Sequence, residues 1–200
     1  MSSTEIKGLV LAGGFSRRMG CDKALLDYHG MPQARWTAQL LTSVCEEVYY
    51  SCRADQDLGP GPNLSSCRIH DSKEGQGPIE GLLSAHEKFP QAALMVVACD
   101  LPKLTENTLQ HLVEKRDSSR LVTAYRSFHD GLPEPLCAIY EPAAFELLKE
   151  SFASGLRCPR KILINADEQV LLLDLKENLA LDNANTPDEA DAFRTKPEER

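Results

Sequence analysis

The chain has 200 residues, 42% of them hydrophobic and 26% charged, with a formal net charge of −8. That length and mix give one globular domain whose core needs no disulfide or metal staple. An acidic whole argues against a general nucleic-acid binder, which needs a basic footprint, but leaves room for a nucleotide held by a local basic loop.

The charge is uneven. Residues 1–35 carry five Lys or Arg against three acids, whereas residues 166–200 carry ten acids against four bases. The seven cysteines (Cys21, Cys45, Cys52, Cys67, Cys99, Cys137 and Cys158) form no C-x-x-C pair. This spacing disfavours zinc ribbons and thioredoxin-like motifs. The opening is polar and Ala92–Cys99 is the longest plain apolar run. Neither a secretion leader nor a membrane span is expected, and free thiols in the cytoplasm are the simplest account.

Ile6–Ala12 reads as a buried first strand ending at Gly13-Gly14, followed by a loop to Asp22. A helix is expected from about Pro32, with Trp36, Leu40, Leu41 and Val44 on one face, and then a strand at Glu47–Cys52. Asp55–Ser66 is loop, and Arg68–Asp71 a short strand. Pro78–Lys88 fits a helix, Ala92–Cys99 a strand running into Asp100-Leu101-Pro102, and Thr105–Lys115 a helix capped by Thr105. Strands alternating with helices predict an α/β fold: a mostly parallel central sheet flanked by helices. The second half is less regular. Leu121–Arg126, Leu136–Ile139 and Val170–Asp174 read as strands, Glu141–Glu150 as a helix and Pro159–Asn165 as a helical turn. A terminal helix is expected within Asn183–Phe193, and the single domain covers 1–195 with 196–200 frayed.

Ligands of such sheets sit at the carboxyl ends of the strands. The loops after the first strand, at Asp71 and at Asp100 are therefore expected on one edge. The first of these reads Leu11-Ala12-Gly13-Gly14-Phe15-Ser16-Arg17-Arg18-Met19-Gly20-Cys21-Asp22-Lys23. Paired glycines let backbone N–H groups approach a phosphate or base, and the cations supply charge to a polyphosphate. The loop lacks the Gly-Lys-Ser/Thr of a P-loop and the G-x-G-x-x-G of a dinucleotide fold. A glycine turn with solvated arginines remains the plainer alternative. Asp100, at the end of a buried strand, suits a hard cation such as Mg²⁺, or else caps the turn that follows. The five histidines are scattered, with no H-E-x-x-H.

The stretch LAGGFSRRMGCDKALL resembles the signature of nucleotidyltransferases that activate a phosphorylated acceptor with an NTP, and most of all molybdenum cofactor guanylyltransferases, the MobA-like family. Asp71, Gly77-Pro78-Ile79-Glu80-Gly81-Leu82, Cys99-Asp100-Leu101-Pro102, Pro135-Leu136 with Tyr140, and Asn183-Ala184-Asn185-Thr186-Pro187-Asp188-Glu189 extend the match in the family's order. The resemblance implies a Rossmann-like nucleotidyltransferase fold. It implies transfer of GMP from GTP to the phosphate of molybdenum-loaded molybdopterin, with Mg²⁺ as cofactor. Molybdenum-insertion proteins and recipient molybdoenzymes are its implied partners.

By the same resemblance, Leu11, Ala12, Gly13 and Gly14 match the segment that meets the nucleotide. Lys23 matches its phosphate-neutralising lysine, and Asp71 its nucleotide-binding aspartate. Asp100 matches the metal ligand. Of Arg17 and Arg18, one meets phosphate and the other forms an ion pair or meets substrate. Pro78, Gly81, Asn183 and Asn185 are candidate substrate contacts, Asn185 being equally suited to capping the last helix. Cys52, or else Ser51, stands where guanylyl members often carry an asparagine, and a thiol cannot offer an amide's paired donor and acceptor. Gly13, where cytidylyl relatives carry alanine, leaves room beside a purine. A related transferase with another base or acceptor, such as a molybdopterin cytidylyltransferase or a sugar-phosphate nucleotidyltransferase, is the alternative. A non-catalytic GTP-binding partner on the same fold is the third reading. Cys21, inside the basic loop, is expected to react faster with alkylating agents without GTP than with it.

Overall fold

The computed structural model describes residues 4–13, 22–58, 67–70, 77–176 and 179–183. Residues 14–21, Asp71, the expected terminal helix beyond Asn183 and the tail lie outside these. Chain order is β1 (Ile6–Leu11), α1 (Gln33–Leu41), β2 (Val48–Cys52), β3 (Arg68–His70), α2 (Pro78–Lys88), β4 (Ala93–Ala98) and α3 (Glu106–Glu114). There follow β5 (Val122–Arg126), β6 (Pro133–Tyr140), α4 (Ala144–Ala153), α5 (Pro159–Ala166) and β7 (Val170–Leu173). A single 3-10 turn, Lys23–Leu25, precedes α1.

The strands form one seven-stranded sheet in the order β3-β2-β1-β4-β6-β5-β7. β1 pairs in parallel with β2 and β4, β2 with β3, and β5 with β7. β6 alone runs antiparallel, to both β4 and β5. The mostly parallel sheet expected from the sequence is therefore present. All six residues of β4 are buried, as befits a central strand covered on both faces. Its side chains alternate between two cores. Ala93, Met95 and Val97 pack with Ala38 and Leu41 of α1 and Leu109 and Leu112 of α3. Leu94 and Val96 pack with Ile79 and Leu82 of α2, Phe145 of α4 and Ile162 of α5.

Three elements differ from the sequence reading. β6 spans Pro133–Tyr140 rather than Leu136–Ile139. Pro133 opens the strand, and Pro135 falls within the register shift opposite Ala124 and Tyr125. These are the positions where a residue without an N–H costs a sheet least. The helix expected at Glu141 begins at Ala144, and Pro159–Ala166 is a full helix of eight residues. Its proline sits in the first turn, where a missing N–H leaves nothing unpaired.

Candidate functional site

The strand order reverses between β1 and β4: the chain moves from β1 outward to β2 and β3, then returns to β4 on the other side. A crevice forms at such a switch point, outside the carboxyl ends of the two strands. Leu11 pairs with Ala98 in register, and the Cys99 amide donates to the Leu11 carbonyl at 3.2 Å. Ala12 and Gly13 on one strand end therefore leave the sheet beside Asp100 on the other.

Lys23 reaches this edge from its own turn. Asp22 caps that turn, its Oδ1 accepting from the Ala24 amide at 3.0 Å. Lys23 Nζ then donates to Asp100 Oδ2 at 3.1 Å, both side chains being about one-fifth exposed, at 18% and 23%. The sequence separates these two residues by 77 positions. The fold thus places one ammonium and one carboxylate together at the switch point. A cation there can meet developing phosphate charge, and a carboxylate can offer hard oxygen to a metal.

The Asp100 loop is braced on its far side. His29 Nε2 lies 3.0 Å from the Pro102 carbonyl, and the His29 ring stacks on Trp36 at 4.2 Å. Cys99, wholly buried, is held as a neutral thiol: burial pushes its pKa up, and the Asp100 charge adds to this.

The segment Gly77-Pro78-Ile79-Glu80-Gly81 starts α2 beside the same edge. Gly77 adopts φ +82°, a conformation that disfavours any side chain, and Pro78 opens the helix. Gly81 is buried against the ends of β1 and β2: a Cβ there would lie 2.2 Å from Ser51 Oγ and 2.9 Å from Leu11 Cδ2. Cys52, at the end of β2, is completely buried, and Asn183 is exposed at the end of the described chain. Gly14, Arg17, Arg18, Asp71 and Asn185 lie outside the described residues.

The sequence reading passed over Arg53 and Gln56, which follow β2. Arg53 Nη1 donates to the Gly13 carbonyl at 3.0 Å, and its Nη2 lies 3.5 Å from Asp22 Oδ2. Gln56 Nε2 donates to the Ala12 carbonyl at 2.8 Å and to Asp22 Oδ2 at 2.7 Å. Their one sequence signal is position, immediately after Cys52 in the loop that leaves the neighbouring strand.

Among the described residues no three His, Cys, Asp or Glu side chains are grouped to hold a metal by themselves. Asp100 and, beside Lys23, Asp22 offer carboxylate oxygen at this edge; Mg²⁺ is in general held by one or two carboxylates together with substrate phosphates.

Comparison with known proteins bears on the family and the fold. The model of the MobA-like NTP transferase domain matches residues 8–170. A molybdenum cofactor biosynthesis bifunctional protein of Synechocystis sp. is 37% identical over 190 residues. The alignment takes in 94% of this chain, which spans only 54% of that longer relative. A molybdenum cofactor guanylyltransferase of Pseudomonas fluorescens is 26% identical over 182 residues, covering 90% of this chain and 89% of the relative. The crystal structure of molybdopterin-guanine dinucleotide biosynthesis protein A from Archaeoglobus fulgidus superposes with a TM-score of 0.72 at 26% identity. That likeness covers 94% of this chain and 96% of the other. With the family model matched from β1 to the start of β7, and the switch-point pair in place, the chain belongs to the MobA-like NTP transferase family.

Proposed function

We propose that this protein transfers GMP from GTP to the terminal phosphate of molybdenum-loaded molybdopterin, giving the guanine dinucleotide cofactor and pyrophosphate. The observation that carries the reading is the Lys23–Asp100 pair at the carboxyl ends of β1 and β4, in a chain of the MobA-like family. A phosphate oxygen of the pterin attacks the α-phosphorus of GTP. The bond from that phosphorus to the bridging oxygen breaks, and pyrophosphate leaves with the electron pair. Such transfer asks a protein mainly for alignment and charge neutralisation.

Lys23 supplies its ammonium to the phosphate oxygens, and Leu11, Ala12, Gly13 and Gly14 line the nucleotide with backbone. Arg17 and Arg18 add charge to the same phosphates or to the acceptor, and Asp71 orients the nucleotide. Asp100 is the residue that would hold Mg²⁺, which when bound withdraws charge from the phosphates. Its present partner Lys23 would turn toward the phosphates as nucleotide arrives. Pro78 and Gly81 border the site from α2, and Asn183 and Asn185 are assigned to the acceptor. Guanine is favoured over cytosine by the absence of a side chain at Gly13. Cys52, completely buried, is assigned only a packing role beside the base. Direct transfer from a molybdenum-insertion protein and to a recipient molybdoenzyme, in the cytoplasm, completes the proposal.

The test is pyrophosphate release with GTP, CTP or ATP, each with Mg²⁺ and either molybdenum-loaded molybdopterin or a sugar phosphate as acceptor. Release with GTP alone is expected, falling at least about 100-fold in folded Asp100→Ala protein. Preferred use of CTP, or of a sugar phosphate as acceptor, would refute the guanylyl assignment.

A further inference from the structure

The loop that carries the basic residues has two ends in the described structure, Ala12-Gly13 before it and Asp22 after it. Both ends are held by the same pair of side chains. Gln56 is 3% exposed, and both Nε2 hydrogens and Oε1 of its amide are engaged. One Nε2 hydrogen goes to the Ala12 carbonyl and the other to Asp22 Oδ2, while Oε1 accepts from the Arg53 amide at 3.2 Å. Arg53 repeats the bridge, to the Gly13 carbonyl and to Asp22. The Gln56 backbone is itself pinned, its carbonyl accepting from Arg68 Nη1 of β3 at 3.1 Å.

We infer that Gln56 and Arg53 are positioning residues for nucleotide transfer, a clamp from β2 that sets both stems of the nucleotide loop; this rests on the nucleotidyltransferase reading above. Two consequences follow from geometry. In a trans peptide the carbonyl and the next N–H point in opposite directions. With the Ala12 carbonyl turned onto Gln56, the Gly13 N–H is turned away from the clamp. The loop thus starts with a backbone donor of fixed direction. At the other stem Asp22 is divided between two tasks. Its Oδ1 caps the turn bearing Lys23, and its Oδ2 receives Gln56 and Arg53. The direction of Lys23 is therefore tied to β2 through one carboxylate. An amide suits this place because it can donate twice without adding charge next to Asp22. Arginine's planar fork offers its donors in a fixed geometry, whereas a lysine offers one compact, freely rotating charge.

The test compares wild type, Gln56→Leu, Arg53→Lys, Lys23→Ala and the Gln56→Leu/Lys23→Ala double variant. GTP with Mg²⁺ and molybdopterin are the substrates, and rates are normalised to folded protein measured by thermal melting. Gln56→Leu should raise the KM for GTP roughly tenfold while leaving that for molybdopterin unchanged. It should also lower kcat by up to about 100-fold, because Lys23 loses its alignment. The kcat loss should largely vanish in the Lys23→Ala background, since both changes act on one group. Arg53→Lys should show the same pattern more weakly, and decides the matter should Gln56→Leu fail to fold. Additive kcat losses, equal changes in both KM values, or losses explained by the folded fraction would overturn the inference. Turnover with a nucleotide other than GTP would refute only the guanylyl reading; the same comparison with that nucleotide would still decide the clamp.

Discussion

Gly81 shows how a single residue ties packing to the site. A glycine inside a helix costs roughly 1 kcal/mol relative to alanine, so replacing it would ordinarily stabilise α2. Here the added Cβ would meet Ser51 and Leu11, at 2.2 Å from Ser51 Oγ. Ser51 is 2% exposed, and turning its hydroxyl away would still leave its Cβ 3.0 Å from the added carbon. Overpacking of this kind costs about 1–3 kcal/mol, which outweighs the propensity gain. Gly81→Ala is accordingly expected to lower the midpoint of urea unfolding with little change in slope. Because the clash falls on the ends of β1 and β2, the same variant should weaken GTP binding. An unchanged or raised midpoint would remove the close-approach argument.

At the scale of elements, the connection that leaves the antiparallel strand β6 carries a nearly buried ion pair. Arg116, just past α3, makes two hydrogen bonds to Glu141, at 2.6 and 2.7 Å, and a third to the Thr4 carbonyl at 2.8 Å. Both side chains are nearly buried, at 9% and 5% exposure. This geometry fastens the end of α3 to the β6–α4 connection and to the chain entering β1. A buried pair adds little over apolar packing, but removing one partner leaves a charge without compensation. Glu141→Gln should therefore destabilise the fold by about 3–5 kcal/mol. The variant Arg116→Met/Glu141→Leu should recover much of that loss in thermal unfolding. A double variant no more stable than the single one would show that the pair contributes more than mutual neutralisation.

At the scale of the whole molecule, the core between the sheet and α1 and α3 encloses Cys45, Cys52, Cys99 and Cys137. Burial pushes Cys45 and Cys137 up to about 12, and pushes Cys99 up as well. In the unfolded chain such thiols ionise near the ordinary value of about 8.5. Above that pH the unfolded state loses protons that the folded state keeps, so stability falls as pH rises. Each such thiol withdraws up to about 1.4 kcal/mol per pH unit until its folded-state value is reached. Unfolding midpoints should thus decline steeply between about pH 9 and 11, and less so when Cys45 and Cys137 are replaced by alanine. At neutral pH, alkylation should reach exposed Cys158 rapidly and the buried Cys45, Cys52, Cys99 and Cys137 only on unfolding. Rapid labelling of Cys99 in folded protein would contradict the closed core beneath Asp100.

The sequence by itself determined the element types and the chemistry of the loop. The apolar run Ala92–Cys99 reads as a central strand because it is too short for a helix and helices alternate with it. The stretch from Leu11 to Lys23 displays its glycines and cations openly, as local chemistry always does. The limits of β6 were not legible, because its prolines argue locally against a strand while the register shift that admits them depends on β5. Nor was the strand order, which rests on which surfaces pack and not on any one segment. Only the tertiary structure decided that Lys23 stands 3.1 Å from Asp100, across a switch point no local pattern records. It alone brought Gln56 and Arg53 to both stems of the loop. The physical reason is the same throughout. Backbone conformation and side-chain character are properties of neighbours in sequence, whereas direction and distance between distant residues are set when the sheet forms and its two faces are covered.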